Sequence, residues 1–221
     1  MIDKKYNKIL TVVLIIVLVI IFGLLGFWGY ETYKKYYQNK DIDTAVNDFE
    51  NIVRNRTIKN DTQGSEPINF TAIGNDVDNS NGESGNKVVT YKGFTVLGTI
   101  EIPAIELKLP VLERATKSSL EASVGVLMGP GINKVGNTII VGHNYRNGTF
   151  FSRNAELKNG DLIYLTDTAG TRIKYTIYNV YNTSSEDTEY VTRDTAGKRE
   201  ISLSTCTDDS KYRLVVWAKE D

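Results

Sequence analysis

Residues 9–30 carry no charged side chain, and nearly all of them are Ile, Leu, Val, Phe or Gly. No other stretch restricts the fold so strongly. At about 1.5 Å per residue it spans roughly 33 Å as a helix, enough to cross the hydrocarbon core of a bilayer. Trp28 and Tyr30 stand at its outer end, where aromatic rings favour the interface. Lys4, Lys5 and Lys8 precede it, with Asp3 the only acid before it. Positive flanks stay cytoplasmic, so residues 1–8 are expected inside the cell and the rest of the chain outside. The rival reading is a cleaved signal peptide. The apolar run is long for one, and no small-x-small cleavage site follows it.

The outward-facing part has a distinctive chemistry. It carries a single cysteine and a single histidine. No intramolecular disulfide can form, and a lone Cys in an exported chain points to intermolecular pairing or a free reactive thiol. The net charge is −1, with no basic stripe, which argues against a nucleic-acid partner. One Cys and one His do not make a zinc set, so no metal site is expected. Asp167, Glu186, Asp187 and Glu189 could help to bind calcium, but a solvated acidic loop is the simpler reading. There is no phosphate-binding glycine loop.

Composition divides the remainder into three parts. Residues 31–55 read as a helical stalk, with Tyr33, Tyr37, Phe49 and Val53 spaced to share one face. Residues 56–87 are rich in Asn, Asp, Ser, Gly and Thr. Such a stretch buries too little apolar surface to offset its conformational entropy, and it is expected to be a flexible linker. Residues 88–221 form the main domain. Eight strand-like runs occur there, at 94–102, 107–112, 124–127, 138–142, 162–166, 172–180, 201–205 and 213–218. Eight short strands with little helix predict an all-β barrel with short helical turns.

The chemistry-bearing residues fall at strand ends. In the run 201–206, Ile201, Leu203 and Thr205 alternate with Ser202, Ser204 and Cys206. The apolar set should face the core, which puts the thiol on the other face. A buried, inert cysteine is the competing reading. A short polar connection leads to Arg213, which opens the apolar run Leu214-Val215-Val216-Trp217. In a hairpin, Arg213 would lie beside Cys206, where a guanidinium favours a thiolate or an oxyanion. His143 follows the apolar strand 138–142. A free thiol has a pKa of about 8.5, so nucleophilic Cys chemistry needs a nearby base or cation.

Three motifs together resemble the sortase family. Ser202-Leu203-Ser204-Thr205-Cys206 is similar to the Thr-Leu-x-Thr-Cys signature, with Ser202 in place of the usual Thr. Gly142-His143-Asn144 resembles the family's His motif, and Arg213 matches its Arg; the likeness covers roughly residues 95–219. The resemblance implies an eight-stranded sortase-like β-barrel behind one N-terminal transmembrane helix. It implies a single-pass protein of the cell membrane and a cysteine transpeptidase of two acyl-transfer steps. Cys206 would attack a sorting signal similar to Leu-Pro-any-Thr-Gly after its Thr. An amine on peptidoglycan or a pilin subunit would release the thioacyl enzyme. His143 would act as general acid and then base, Arg213 would hold substrate or oxyanion, and Thr205 and Asn144 would help to bind the substrate. The connection 180–199 would be a specificity loop. The family includes calcium-stimulated members, but no calcium site can be placed here and no cofactor is expected. The four prolines follow Glu66, Ile102, Leu109 and Gly129, so the Asp-Pro lid of pilin-assembling members is missing. That favours anchoring over pilus polymerisation. The alternatives are an anchored hydrolytic cysteine protease and a non-catalytic surface β-domain.

Overall fold

The computed structural model describes residues 4–61 and 88–221. The chain divides into two compact units, Met1–Ile42 and Asp43–Asp221. One helix, α1, runs Lys4–Asp61. It absorbs the expected anchor, the stalk and the first residues of the expected linker. The physical reason is that no Gly or Pro interrupts the sequence between Gly29 and Gly64. The rest of that linker, 62–87, lies outside the described residues.

Along residues 9–30 the large apolar side chains are exposed: Leu14 is 58% exposed and Phe22 70%. Among the described residues, α1 is the one helix long and apolar enough to cross a membrane, with a mean hydropathy of 3.3 in its most apolar stretch. Tyr33 and Tyr37 are exposed and stack on each other at 4.4 Å. They do not share a face with Phe49 and Val53. At 3.6 residues per turn, the spacing from Tyr37 to Phe49 turns the helix about 120° away.

In the second unit the end of α1 lies on a barrel. Val46, Phe49 and Val53 recur at helical spacing and are buried. Glu50 pairs with Lys108 at 2.7 Å, and Arg56 Nη1 donates to the Thr168 carbonyl at 3.2 Å.

The elements after α1 are β1 (Thr90–Tyr91), β2 (Phe94–Ile102), β3 (Leu107–Leu112), α2 (Lys117–Ala122), β4 (Val124–Met128) and β5 (Gly136–Val141). They continue with β6 (Leu162–Asp167), β7 (Arg172–Ser184), α3 (Glu189–Thr192), β8 (Arg199–Cys206) and β9 (Tyr212–Glu220). Short 3₁₀ turns occupy Pro103–Ile105 and Phe151–Glu156. Among the described residues the sheet order is β1-β2-β3-β4-β5-β8-β9-β7-β6, and β6 also pairs with β2. Strands β2 to β9 therefore close into an eight-stranded barrel, and β1 is a two-residue addition at its rim. Closure removes the open edges that would otherwise invite pairing with other chains.

The interior is filled by Ile100, Leu112, Ile140, Ile163, Leu203 and Val216, each essentially inaccessible. The β2–β6 seam needs a residue without a side chain. A Cβ at Gly98 would stand 2.2 Å from the Thr166 carbonyl oxygen, and the β2–β3 register shifts at this point.

The second face of β8, away from the barrel core, is itself covered: Ser202 is 0% and Ser204 3% exposed. Strand β8 lies between β5 and β9, and the β7–β8 connection folds back over it. Tyr190 of α3 packs with Ile139 and Val215 on this outer face. Only at Cys206, the last residue of the strand, does the covering stop.

Candidate active site

Strands β8 and β9 form a hairpin in which Cys206 and Arg213 are register partners. Directly opposed residues of an antiparallel pair project from the same face. The side chains meet: Arg213 Nη1 donates to Cys206 Sγ at 2.7 Å. A guanidinium can only donate, so the sulfur is the acceptor. Both residues are half-buried. The turn that joins them is held by its own polar groups. Thr207 N–H donates to the Tyr212 carbonyl at 3.0 Å, and Asp209 Oδ1 accepts from Thr207 Oγ1 at 2.6 Å and from Lys211 N–H at 3.1 Å. The Thr207 hydroxyl, and then the Lys211 N–H, hold the Asp209 carboxyl below the usual carboxylate range.

His143 reaches the same rim from β5. That strand runs parallel to β8, with Ile139 opposite Ser202 and Val141 opposite Ser204. Continued for two residues, that register sets His143 opposite Cys206, although the paired strand itself ends at Val141. The ladder holds to Gly142, whose N–H donates to the Ser204 carbonyl at 3.3 Å while its carbonyl accepts from Thr205 Oγ1 at 2.8 Å. Gly142 is required there by space. A Cβ would lie 2.6 Å from Val124 Cγ1 and 2.9 Å from Phe151 Cδ2. The His143 ring lies against Tyr145, with centroids 5.0 Å apart. Burial, and then the charge of Glu121, raises the Tyr145 phenol above its ordinary pKa. Among the described residues, the imidazole makes no side-chain hydrogen bond. Catalytic hydrogen bonds often tighten only with substrate in place.

The fold thus collects Cys206, Arg213 and His143 on one rim. Thr205 and Asn144 are there as well, but their polar groups point at the protein. Thr205 is 3% exposed and its hydroxyl is spent on Gly142. Asn144 Nδ2 donates to the Cys206 carbonyl at 3.1 Å and to Asp208 Oδ1 at 2.8 Å.

Sequence reasoning missed a buried polar cluster that fixes the β7–β8 connection. Arg193 pairs with Glu200 and donates to the Tyr178 hydroxyl at 2.8 Å and to Asn137 Oδ1 at 3.1 Å. Its guanidinium lies 4.7 Å from the centre of the Trp217 ring. Asn137 Nδ2 in turn donates to the Tyr190 carbonyl at 2.7 Å. These partners come from β5, β7, β8 and β9, so no local pattern could announce them. Among the described residues no group of three or more His, Cys, Asp or Glu side chains is placed to hold a metal ion. A depression lined by Val135, Lys198, Arg199 and Glu220 lies at the Arg199 end of β8, opposite the thiol.

A sortase-domain family model matches residues 100–221, more than half of the chain. Sortase A of Bacillus anthracis is 36% identical over 124 residues, covering 55% of this chain and 58% of that protein. The structure of sortase A from Corynebacterium diphtheriae superposes with a TM-score of 0.53 and 30% identity, over 58% of this chain and 61% of that one. The structure of Clostridium perfringens sortase C with the C-terminal cell wall sorting motif gives a TM-score of 0.52 and 26% identity, over 57% of this chain and 70% of that one. The chain thus spans about three-fifths of the length of the first two relatives. By its matched domain and its closed eight-stranded barrel, the chain belongs to the sortase family.

Proposed function

We propose that this chain is a membrane-anchored cysteine transpeptidase that joins proteins bearing a sorting signal to an amine acceptor at the cell wall. The observation that carries the reading is the guanidinium of Arg213 on the sulfur of Cys206 at 2.7 Å, with His143 brought to the same rim. The thiolate is the nucleophilic form of cysteine, and an adjacent fixed cation favours an anion.

The chemistry follows in two steps. Cys206 Sγ attacks the carbonyl carbon of Thr in a signal similar to Leu-Pro-any-Thr-Gly. The C–N bond breaks, a thioester forms, and His143 gives a proton to the leaving amine. An acceptor amine, on peptidoglycan or a pilin subunit, then attacks the thioester and gives its proton to His143. The C–S bond breaks and the Cys206 thiolate returns. Arg213 offers its remaining N–H groups to the carbonyl oxygen as charge develops there. No step requires a metal or another cofactor. The C. perfringens sortase C structure that holds a cell wall sorting motif supports this substrate class. The missing Asp-Pro lid favours anchoring over pilus assembly. Residues 9–30 serve as the single transmembrane anchor, with 1–8 cytoplasmic and the barrel outside. Residues 31–55 are the helical stalk.

The test is mass spectrometry of the chain in detergent with a panel of Leu-Pro-any-Thr-Gly-like peptides, with and without an added amine, beside Cys206→Ala. The expected products are a thioacyl adduct on Cys206 and a peptide joined to the amine, both lost in the variant. Cleavage without joining, over a range of amines, would assign a hydrolytic cysteine protease instead. No adduct and a thiol inert to alkylation would leave a non-catalytic surface domain.

A further inference from the structure

The β5–β8 ladder ends just before the histidine, yet the histidine must keep its place opposite the thiol. In a parallel ladder, donors recur every second residue. Gly142 N–H donates to the Ser204 carbonyl, so the next rung would run from Asn144 N–H to the Cys206 carbonyl. That rung is not made by the backbone. The chain turns away after Gly142: the His143 carbonyl accepts from Phe151 N–H at 3.1 Å, and Asn144 bridges to Phe150. Asn144 instead supplies the rung with its side chain, donating from Nδ2 to the Cys206 carbonyl at 3.1 Å. The second Nδ2 hydrogen goes to Asp208 Oδ1 at 2.8 Å, on the β8–β9 turn. Asn144 Oδ1 accepts from Arg146 N–H at 3.0 Å, which ties the amide to its own loop. Arg146 Nη2 adds a bond to Ser210 Oγ at 3.2 Å across the same gap.

We propose that Asn144 is a positioning residue rather than a substrate ligand, its amide serving as a side-chain rung that locks His143 level with Cys206. An amide has two N–H donors, and both are spent on the protein, so none is left for a peptide. His143 is bracketed by the Gly142 rung before it and the Asn144 rung after it. Asp208 is the second anchor of this clamp. The clamp spans both loops that carry the reacting groups, and loosening it lets the imidazole drift from the sulfur. A displacement of about 1 Å costs up to roughly a hundredfold in rate.

The inference rests on the transpeptidase reading, and the experiment separates the two. Wild type, Asn144→Ala, Asp208→Ala, Asp208→Asn and His143→Ala are compared in two assays on the chain in detergent. The first is steady-state ligation of a sorting-signal peptide to an amine. The second, which needs no peptide, is the pH profile of Cys206 alkylation by iodoacetamide. Asn144→Ala is expected to lose about tenfold or more in kcat with KM within about twofold. Its alkylation profile should move towards that of His143→Ala. Asp208→Asn keeps an acceptor oxygen and should stay near wild type, whereas Asp208→Ala should move in the direction of Asn144→Ala. A raised KM with unchanged kcat in Asn144→Ala would make Asn144 a substrate ligand and overturn the proposal. An alkylation profile in Asn144→Ala that matches wild type would overturn it as well. So would a His143→Ala profile equal to wild type, since no coupling would then exist to be maintained. If wild type ligates no peptide, the transpeptidase reading falls, and the alkylation profiles alone decide the clamp.

Discussion

Replacing Arg213 by Lys tests whether the guanidinium acts by its charge or by its shape. Arg213 stands opposite Cys206 in the β8–β9 register and donates to the sulfur at 2.7 Å. Cross-strand partners lie about 5 Å apart, so a lysine ammonium can reach the sulfur from the same backbone position. It arrives as a point charge, with no second nitrogen held in plane for a carbonyl oxygen. A hydrogen bond to a charged group is worth about 1.5–3 kcal/mol, and each 1.36 kcal/mol is tenfold in rate. Losing that one bond in the transition state lowers kcat/KM by roughly 12- to 160-fold. Stability should change by less than about 1 kcal/mol, because Arg213 is half-exposed at a strand end. The assay is ligation of a fluorescent sorting-signal peptide to an amine, with thermal unfolding recorded beside it. Turnover within threefold of wild type would remove the planar fork from the mechanism and leave Arg213 as a source of charge only. A large loss of stability would mean that the activity change reports unfolding instead.

Other perturbations follow from the same geometry. Gly142→Ala places a Cβ 2.6 Å from Val124 Cγ1, so it should destabilise the domain by about 1–3 kcal/mol and shift the adjoining His143; turnover in folded protein below 37 °C should fall more than stability accounts for. Glu200→Gln leaves the Arg193 guanidinium without its carboxylate, where the two side chains are only 10% and 12% exposed. Removing one partner of a buried pair costs about 3–5 kcal/mol, and at about 2–4 °C per kcal/mol the melting temperature should drop by some 6–20 °C; a drop below 2 °C in calorimetry would show the pair to be screened by water. Burial, with Glu220 adding to it, pushes the Tyr175 phenol up to about 12. Its folded value lies above the unfolded value of about 10, so the stabilisation is complete below pH 10 and is lost as pH rises towards 12. Burial raises Tyr181 and Tyr178 as well, so ultraviolet titration should show this late step smaller by one tyrosine in Tyr175→Phe than in wild type.

Much of the molecule was legible in local patterns. The eight strands come from short apolar runs, and seven of the eight expected runs both start and end within two residues of the observed strand; the exception is β7, which extends to Ser184. Cys206 and Arg213 could be paired from sequence because a hairpin joins the strands that end and begin with them. The stalk face was misread because Tyr33 and Tyr37 are spaced out of phase with Phe49, and tyrosine is apolar enough to suggest a core position without needing one. The covering of the polar face of β8 was not legible for another reason. Alternation reports which residues avoid water in isolation, and it is blind to another segment folding across them. Tyr190 and Arg193, contributed by the β7–β8 connection, lie against Ser202: its hydroxyl donates to the Tyr190 carbonyl and accepts from the Arg193 guanidinium.

The sequence by itself determined the apolar helix, the barrel class, and the identity of the thiol, the imidazole and the guanidinium, because each follows from residue type and near-neighbour spacing. The tertiary structure alone decided that His143 reaches the rim that holds Cys206, that Asn144 spends its amide on the Cys206 carbonyl, and that Arg193 is held by four strands. Those relations depend on the parallel pairing of β5 with β8. Their residues are more than sixty positions apart, and only closure of the whole barrel brings the two strands side by side.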